Sequence, residues 1–147
     1  MTAVNNTTPP SRPLSGRLTV TGATFSAYVE AGATVITAAG ELDATNTHDL
    51  VGFAGLYLAD NRPIVLDLSA LDFFAAQGVA LLTEFDGECS RHGVDWAVVS
   101  GRSVARPLQI CDRSAQLPSV TSINAALEHF SRHVPEQASL QLVTETG

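Results

Sequence analysis

Apolar and polar residues alternate along two runs near the start of the chain, and this alternation predicts two strands. The runs cover residues 25–31 and 33–42, and Gly32 separates them. A period of two is typical of a strand with one buried face, and β-branched residues favour strands. Because glycine commonly occupies turns between such runs, we expect a hairpin or a pair of adjacent strands.

A helical pattern follows the second strand. Asn46 is its predicted N-cap, because Asp49 follows three residues later and apolar residues begin at once. Asn61 and Pro63 are expected to end the helix. The residues that share one apolar face are Leu50, Phe53, Ala54 and Tyr57.

Two later runs of consecutive apolar residues predict strands that are buried on both faces of a sheet. They lie within residues 63–68 and 94–100, and the second run carries the only tryptophan. Between them, apolar residues at helical spacing predict a helix from about Gln77 to Arg91. Gly93 fits the position just past the C-terminus of that helix.

Three shorter elements complete the pattern. A helix is predicted to begin at Ser103 or near Arg106 and to run through Cys111, because Pro107 fits best in a first turn. Residues 118–123 are the last strand candidate. The predicted final helix has Asn124 as its cap and Ala126, Leu127 and Phe130 facing inward.

The predicted order of elements is β-β-α-β-α-β-α-β-α. Strands that alternate with helices imply right-handed crossovers, so we expect an α/β fold with a mostly parallel sheet of roughly four to five strands. The expected organisation is a flexible N-terminal tail in residues 1–23, one domain in residues 24–134 and an uncertain C-terminal tail in residues 135–147.

Length and charge narrow the classes of function. The 147 residues are 45% apolar, which suits one domain with a substantial core. With 8 basic against 15 acidic residues and a net charge of −7, the chain has too few cations for direct nucleic-acid binding. No apolar run is long enough for a membrane span, and the N-terminus lacks the apolar core of a secretory signal. We therefore expect a cytoplasmic protein without a membrane partner.

No spacing of residues indicates a catalytic site or a cofactor, so an enzyme is not expected. His129 and His133 are four residues apart, but no third metal ligand has an obvious register, which favours a solvated helix end. Asp67 and Asp72 flank a strand end, where ligands bind in open α/β sheets. Carboxylates in such loops are more often turn residues.

The two cysteines, Cys89 and Cys111, cannot form a CxxC motif or a structural zinc site. Cys89 follows Leu82 and Phe85 at helical spacing, which is typical of a core face. The preferred interpretation is therefore two buried thiols. The alternative is a redox-sensitive pair that joins two neighbouring helices.

The helix predicted from Gln77 lacks a recognisable N-cap. A helix start leaves four backbone N–H groups without partners, and Ser, Thr, Asp or Asn usually satisfies one of them. The residues before Gln77 are Ala75 and Ala76, which have no side-chain oxygen. The absence of a cap is expected to cost about 0.5–2 kcal/mol of local stability.

Two motifs resemble those of the STAS domain, a family named for sulfate transporters and anti-sigma factor antagonists. The sequence GELD ends the second predicted strand, and IVLDLSALDFFAAQGVALL carries a strand, a loop and a helix. The resemblance covers about residues 24–133. It implies the antagonist-type STAS fold, which agrees with the predicted order of strands and helices.

The same resemblance accounts for the missing cap. In bacterial antagonists of this family the loop before the helix reads hydrophobe-Asp-Ser-Ser/Thr-Gly, and a partner anti-sigma kinase phosphorylates the central Ser. The matching residues here are Phe74, Ala75, Ala76, Gln77 and Gly78. Phosphorylation adds roughly −1.5 to −2 charge and abolishes the complex. Because Ala76 has no hydroxyl, the family's switch cannot operate at this position.

The resemblance implies an anti-sigma factor antagonist that binds a kinase-type anti-sigma factor and so releases a sigma factor. The implied partner-binding residues are Asp43, Phe74, Ala75, Ala76 and Gln77. Asp43 fits equally well as a turn residue, and Phe73 is expected in the core.

Other readings stay open. One is a divergent STAS module with a scaffold, sensor or small-ligand role, nucleotides included. Alternative phosphorylation sites are Ser69, Thr83 and Ser103, although each is more readily explained as a turn, surface or cap residue.

Overall fold

The computed structural model describes residues 16–112 and 116–132, which form a six-stranded sheet with four helices. The strands are β1 (Gly16–Val20), β2 (Ala23–Glu30), β3 (Ala33–Leu42), β4 (Ile64–Phe74), β5 (Trp96–Val99) and β6 (Ser119–Val120). The helices are α1 (Thr47–Gly55), α2 (Gly78–His92), α3 (Gly101–Cys111) and α4 (123–132), with a 3₁₀ turn at Leu58–Asp60. His133 and the predicted tail in residues 135–147 lie outside the described residues.

The six strands lie side by side in chain order. The first three pair antiparallel, whereas β3, β4, β5 and β6 pair parallel. Helical connections between the parallel strands follow from this geometry, since parallel neighbours need a crossover. The predicted α/β class and mostly parallel sheet are confirmed, with six strands instead of the smaller number expected.

The additional strand, β1, lies in residues that the sequence pattern assigns to the flexible tail. It pairs antiparallel with β2, and Thr19 lies opposite Thr24. None of its five residues is buried, so no period-two apolar signal reveals it. The predicted tail of residues 1–23 therefore includes a strand, because β1 occupies Gly16–Val20, and residues 1–15 lie outside the described residues.

Each face of the sheet has its own core. On one face, α1, α2 and α3 contribute Phe53, Phe85 and Val104 to a large apolar cluster with the strands. On the other face, α4 contributes Ala126 and Phe130, which pack with side chains of β3, β4 and β5. The inward face predicted for the last helix is confirmed. Within the part of the chain that the structure describes, three helices lie against one face of the sheet and one lies against the other.

Several predicted elements agree closely with the structure. The second predicted strand is β3 itself, and α1 begins immediately after Asn46. The predicted apolar residues Leu50, Phe53 and Ala54 of α1 are buried, and so is Tyr57, which lies two residues past the end of the helix. The long helix is α2, which follows Gln77 and is followed by Gly93. Strong periodicity of apolar residues was therefore sufficient to predict the elements that carry most of the core.

The start of α3 differs from the prediction. The helix begins at Gly101, so Pro107 lies in its interior instead of its first turn. Gly101 has φ +68°, and a Cβ there would lie 2.5 Å from the Cα of Ser69 in β4. The Ser103 hydroxyl donates to the carbonyl of Leu71 at 2.7 Å, so it anchors the helix to β4 and does not cap it. Tertiary contacts with β4 therefore set this helix start.

The last predicted strand is shorter than expected, since β6 contains only Ser119 and Val120 and α4 begins at residue 123. The Ser122 hydroxyl accepts a hydrogen bond from the N–H of Ala125 at 3.0 Å. This is the geometry of an N-cap. Asn124, the predicted cap, lies inside the helix.

Candidate functional site

The loop of residues 75–77 connects β4 to α2, and its carbonyl groups accept hydrogen bonds from the first N–H groups of the helix. The N–H groups of Gly78, Val79 and Ala80 donate to the carbonyls three residues earlier, at 2.8, 3.0 and 3.2 Å respectively. Such 3₁₀-type bonds satisfy backbone groups that a side-chain cap would otherwise serve. Gln77 occupies the N-cap position and makes no side-chain cap hydrogen bond. Backbone carbonyls of the loop therefore take the place of a capping oxygen at this helix start.

The same loop is fixed to the end of the neighbouring strand. The N–H of Ala75 donates to the carbonyl of Leu42 at 2.9 Å, and Leu42 lies in register with Phe74. Because the two strands are parallel, Asp43 and Ala75 emerge together at the carboxyl edge of the sheet. Ala76 and Gln77 are exposed, and Ala75 is half-buried. Four of the five predicted partner-binding residues are thus brought together at one accessible edge.

The fifth, Phe74, is placed differently from the prediction. Its side chain is 4% exposed and packs in the large core, so it cannot contribute contact surface to a partner. A Cβ on Gly78 would lie 2.6 Å from Cζ of the Phe74 ring. Gly78 is therefore required at this position so that the ring can fill the space beneath the helix start.

Phe73, expected in the core, is 49% exposed. The register of β3 and β4 shifts between Gly40 and Glu41, so that Leu71 and Phe73 lie opposite consecutive residues of β3. The extra residue of β4 changes which face its later side chains occupy. Leu71 and Phe74 face the core and Phe73 faces outward. No feature of the sequence predicts this shift in register. In the sequence analysis, Phe73 is therefore assigned to the core and Phe74 to the partner surface, which is the reverse of their positions in the structure.

Asp43 forms the turn that leads into α1. Its Oδ1 accepts hydrogen bonds from the N–H of Thr45 at 2.9 Å and from the hydroxyl of Thr45 at 2.5 Å. These bonds to the carboxylate hold the pKa of Asp43 below its usual value. The structure therefore matches the alternative interpretation of Asp43 as a turn residue, at the edge where the loop lies.

Asn46 supports the same turn from the N-cap position of α1. Its Oδ1 accepts from the N–H of Asp43 at 2.9 Å, and its Nδ2 donates to the carbonyls of Thr21 and Glu41 at 3.0 and 2.9 Å. It makes no side-chain bond to the helix itself. The predicted position is right, but the side chain holds the preceding loop against β3 and the turn between β1 and β2.

The two cysteines differ in environment. Cys89 is buried and Cys111 is exposed, and both thiols are free. Burial, aided by the carboxylates of Asp86 and Glu88, raises the pKa of Cys89 to about 12. Since the thiolate is the reactive form, Cys89 is a poor nucleophile near neutral pH. The expectation of two buried thiols is correct for Cys89 and wrong for Cys111.

The alternative hydroxyl sites make local hydrogen bonds. Ser69 donates to Oδ1 of Asp67 at 2.6 Å, and Thr83 donates to the carbonyl of Val79 at 3.1 Å. Ser103 donates to Leu71, as described above. Within residues 16–112 and 116–132, no group of three or more His, Cys, Asp or Glu side chains could hold a metal ion. No helix in the described part of the chain is long and apolar enough to cross a bilayer.

Comparison with known proteins gives consistent matches. Residues 24–126 match the model of the STAS domain. Osmosensory protein A from Mycobacterium tuberculosis (strain ATCC 25618 / H37Rv) is 32% identical over 136 residues, or 90% of this chain and 86% of that protein. Anti-sigma-F factor antagonist RsfA from Mycobacterium tuberculosis (strain CDC 1551 / Oshkosh) is 38% identical over 99 residues, or 65% of this chain and 77% of RsfA.

The fold has solved counterparts. The crystal structure of an anti-sigma factor antagonist from Mycobacterium paratuberculosis superposes with a TM-score of 0.65 at 25% sequence identity. The superposition covers 81% of this chain and 97% of that one.

Proposed function

The chain belongs to the STAS domain family, and we propose that it is an anti-sigma factor antagonist that operates without phosphorylation at Ala76. Its relatives and structural neighbours include anti-sigma factor antagonists, which support this general role. In this proposed role, the chain binds a kinase-type anti-sigma factor and so releases a sigma factor for transcription.

The observation that carries the proposal is the ordered, accessible loop at residues 75–77. Three backbone hydrogen bonds and the bond from Ala75 to Leu42 hold the loop in one conformation. A preorganised surface loses little conformational entropy on binding, so it suits a protein partner. Ala76 and Gln77 are exposed at its centre.

The absence of a hydroxyl at Ala76 distinguishes this loop from the family's pattern. In other members of the family, a phosphoryl group on the corresponding Ser adds roughly −1.5 to −2 charge at the helix start and opposes formation of the complex. Methyl-bearing Ala76 offers no oxygen for transfer. We infer that any regulation of the complex acts elsewhere, or through the amounts of the two proteins.

A second candidate is a signalling module in the response to osmotic conditions. The name of the relative Osmosensory protein A, which matches 90% of this chain, favours it. The two candidates are compatible if an osmotic signal determines when the antagonist acts.

Binding to a defined anti-sigma factor tests the proposal. The full chain would be titrated by calorimetry into purified anti-sigma-F factor from Mycobacterium tuberculosis and into the anti-sigma factors of its own genome. RsfA serves as the comparison protein. We expect saturable one-to-one binding to at least one factor. Absence of binding to every factor would contradict the proposal.

A further inference from the structure

Phe73 is an exposed aromatic residue beside the candidate loop. It is 49% exposed, whereas Phe25, Phe53, Phe74, Phe85 and Phe130 are all buried. It precedes Ala75 by two residues, so at most about 7 Å of chain separates their Cα atoms. Its exposed ring is therefore accessible to a partner that contacts the loop.

The surface around Phe73 belongs to the half of the sheet that α4 does not cover. On β3, Val35 is buried beneath that helix, but Ala39 and Glu41 on the same face are exposed. On β4, Ala70 lies in register with Ala39 and is also exposed. The exposed part of this face therefore carries the small residues Ala39 and Ala70 in addition to Glu41 and Phe73.

Two acidic residues are immediate neighbours of Phe73 in the sheet. Glu41 lies in register with Phe73 on the adjacent strand, at the usual spacing of about 5 Å between strands, and Asp72 precedes Phe73. Both are exposed, and neither carboxylate makes an ion pair or hydrogen bond with another residue in the described ranges. The apolar ring thus has an acidic rim whose charges are not neutralised within residues 16–112 and 116–132.

We propose that Phe73 is the apolar anchor of the antagonist surface, and that it enters an apolar pocket of the anti-sigma factor ringed by arginine or lysine side chains. This inference rests on the proposed function. A single aromatic residue in a desolvated pocket commonly dominates an interface, while surrounding charges set partner choice and association rate. Phe73, Glu41 and Asp72 supply these two parts of a binding surface.

The test compares truncation of Phe73 with truncation of equally exposed apolar residues elsewhere. Leu56 is 52% exposed and Ile110 is 55% exposed, so Leu56→Ala and Ile110→Ala are matched controls. Dissociation constants for the anti-sigma factor that binds the wild-type chain are measured by calorimetry. We expect Phe73→Ala to weaken binding at least about tenfold, because truncation of a central aromatic anchor is among the most costly changes at an interface. Phe73→Leu should retain most of the affinity, and the two controls should bind as the wild type does.

The acidic rim is tested separately with Glu41→Gln and Asp72→Asn, which keep side-chain size. Loss of these charges should slow association and reduce the dependence of affinity on salt concentration. Unchanged salt dependence of the affinity would contradict the proposed ring of basic side chains around the pocket. Because these variants alter exposed groups, they test the proposal even if Phe73→Ala is unstable.

Failure of the inference is distinguishable from failure of the proposed function. If the wild type binds and Phe73→Ala binds equally well, Phe73 is not the anchor, and the antagonist role is unaffected. If the wild type binds no anti-sigma factor under conditions in which RsfA does, both proposals are overturned.

Discussion

The ring of Phe74 lies against the backbone of Gly78, so closely that a Cβ on Gly78 would be 2.6 Å from the ring. This contact joins the end of β4 to the first turn of α2. The three residues between them have little freedom, because the strand end and helix start are both held by the core. A buried contact thus determines the shape of the exposed loop at residues 75–77.

Gly78→Ala should destabilise the protein. The added methyl group must displace the Phe74 ring, and overpacking of this kind costs about 1–3 kcal/mol. Gly87→Ala is the matched control, since Gly87 lies in the same helix and a Cβ there meets no atom within 4 Å. Alanine is favoured over glycine in helices, so the control should be neutral or stabilising by up to about 1 kcal/mol. Urea unfolding of both variants measures the difference, and equal stabilities would refute the packing argument.

Ala76→Glu should weaken the complex with the anti-sigma factor at least about tenfold, or ~1.4 kcal/mol. A kinase that phosphorylates the corresponding Ser in the family brings nucleotide phosphates to this position, so a carboxylate here would face like charge. Ala59→Glu adds the same charge at another exposed position and should leave affinity unchanged. Equal affinity of the wild type and Ala76→Glu would place the interface elsewhere.

The Asp43 carboxyl should titrate below an ordinary aspartate. Its hydrogen bonds from Thr45 stabilise the carboxylate, so they lower the pKa in the folded state. The resulting stabilisation is present above the unfolded-state pKa and is lost as the pH falls through the lower, folded-state pKa. Carboxyl carbon shifts in an NMR titration report the pKa directly. Thr45→Val should raise it toward the usual value, and an unchanged pKa in that variant would exclude the assigned cause.

The thiols of Cys89 and Cys111 should react at very different rates. Cys89 is buried with its pKa raised to about 12, whereas Cys111 is exposed. Native protein treated with iodoacetamide near pH 8 should be alkylated at Cys111 first, with Cys89 protected until unfolding. Peptide mass spectrometry identifies the modified residue. Rapid, equal alkylation of both thiols would contradict the burial of Cys89.

Periodic apolar patterns were sufficient for the large elements, as β3, α1 and α2 illustrate. They failed where side chains are not buried or where backbone irregularity changes a face. β1 has no buried residue, so its pairing with β2 could not be predicted from apolar alternation. The exchanged positions of Phe73 and Phe74 follow from a register shift between β3 and β4, which no local residue pattern encodes.

The candidate site was predicted mainly by family resemblance and refined by geometry. Resemblance located the loop at residues 75–77 and the replacement of a hydroxyl by Ala76. It could not foresee that carbonyls within the loop would satisfy the N–H groups of the first turn. Nor could it show that Phe73 is exposed beside the loop, because this depends on contacts between two strands.

Independence from phosphorylation is tested most directly by the affinity for the anti-sigma factor in Mg-ATP and in a non-hydrolysable ATP analogue. We predict that the wild-type chain binds equally in both, because Ala76 cannot accept a phosphoryl group. Ala76→Ser restores the family's acceptor, so it should bind in the analogue and dissociate progressively in ATP. Loss of wild-type binding in ATP, or no binding in either nucleotide, would contradict the proposed function.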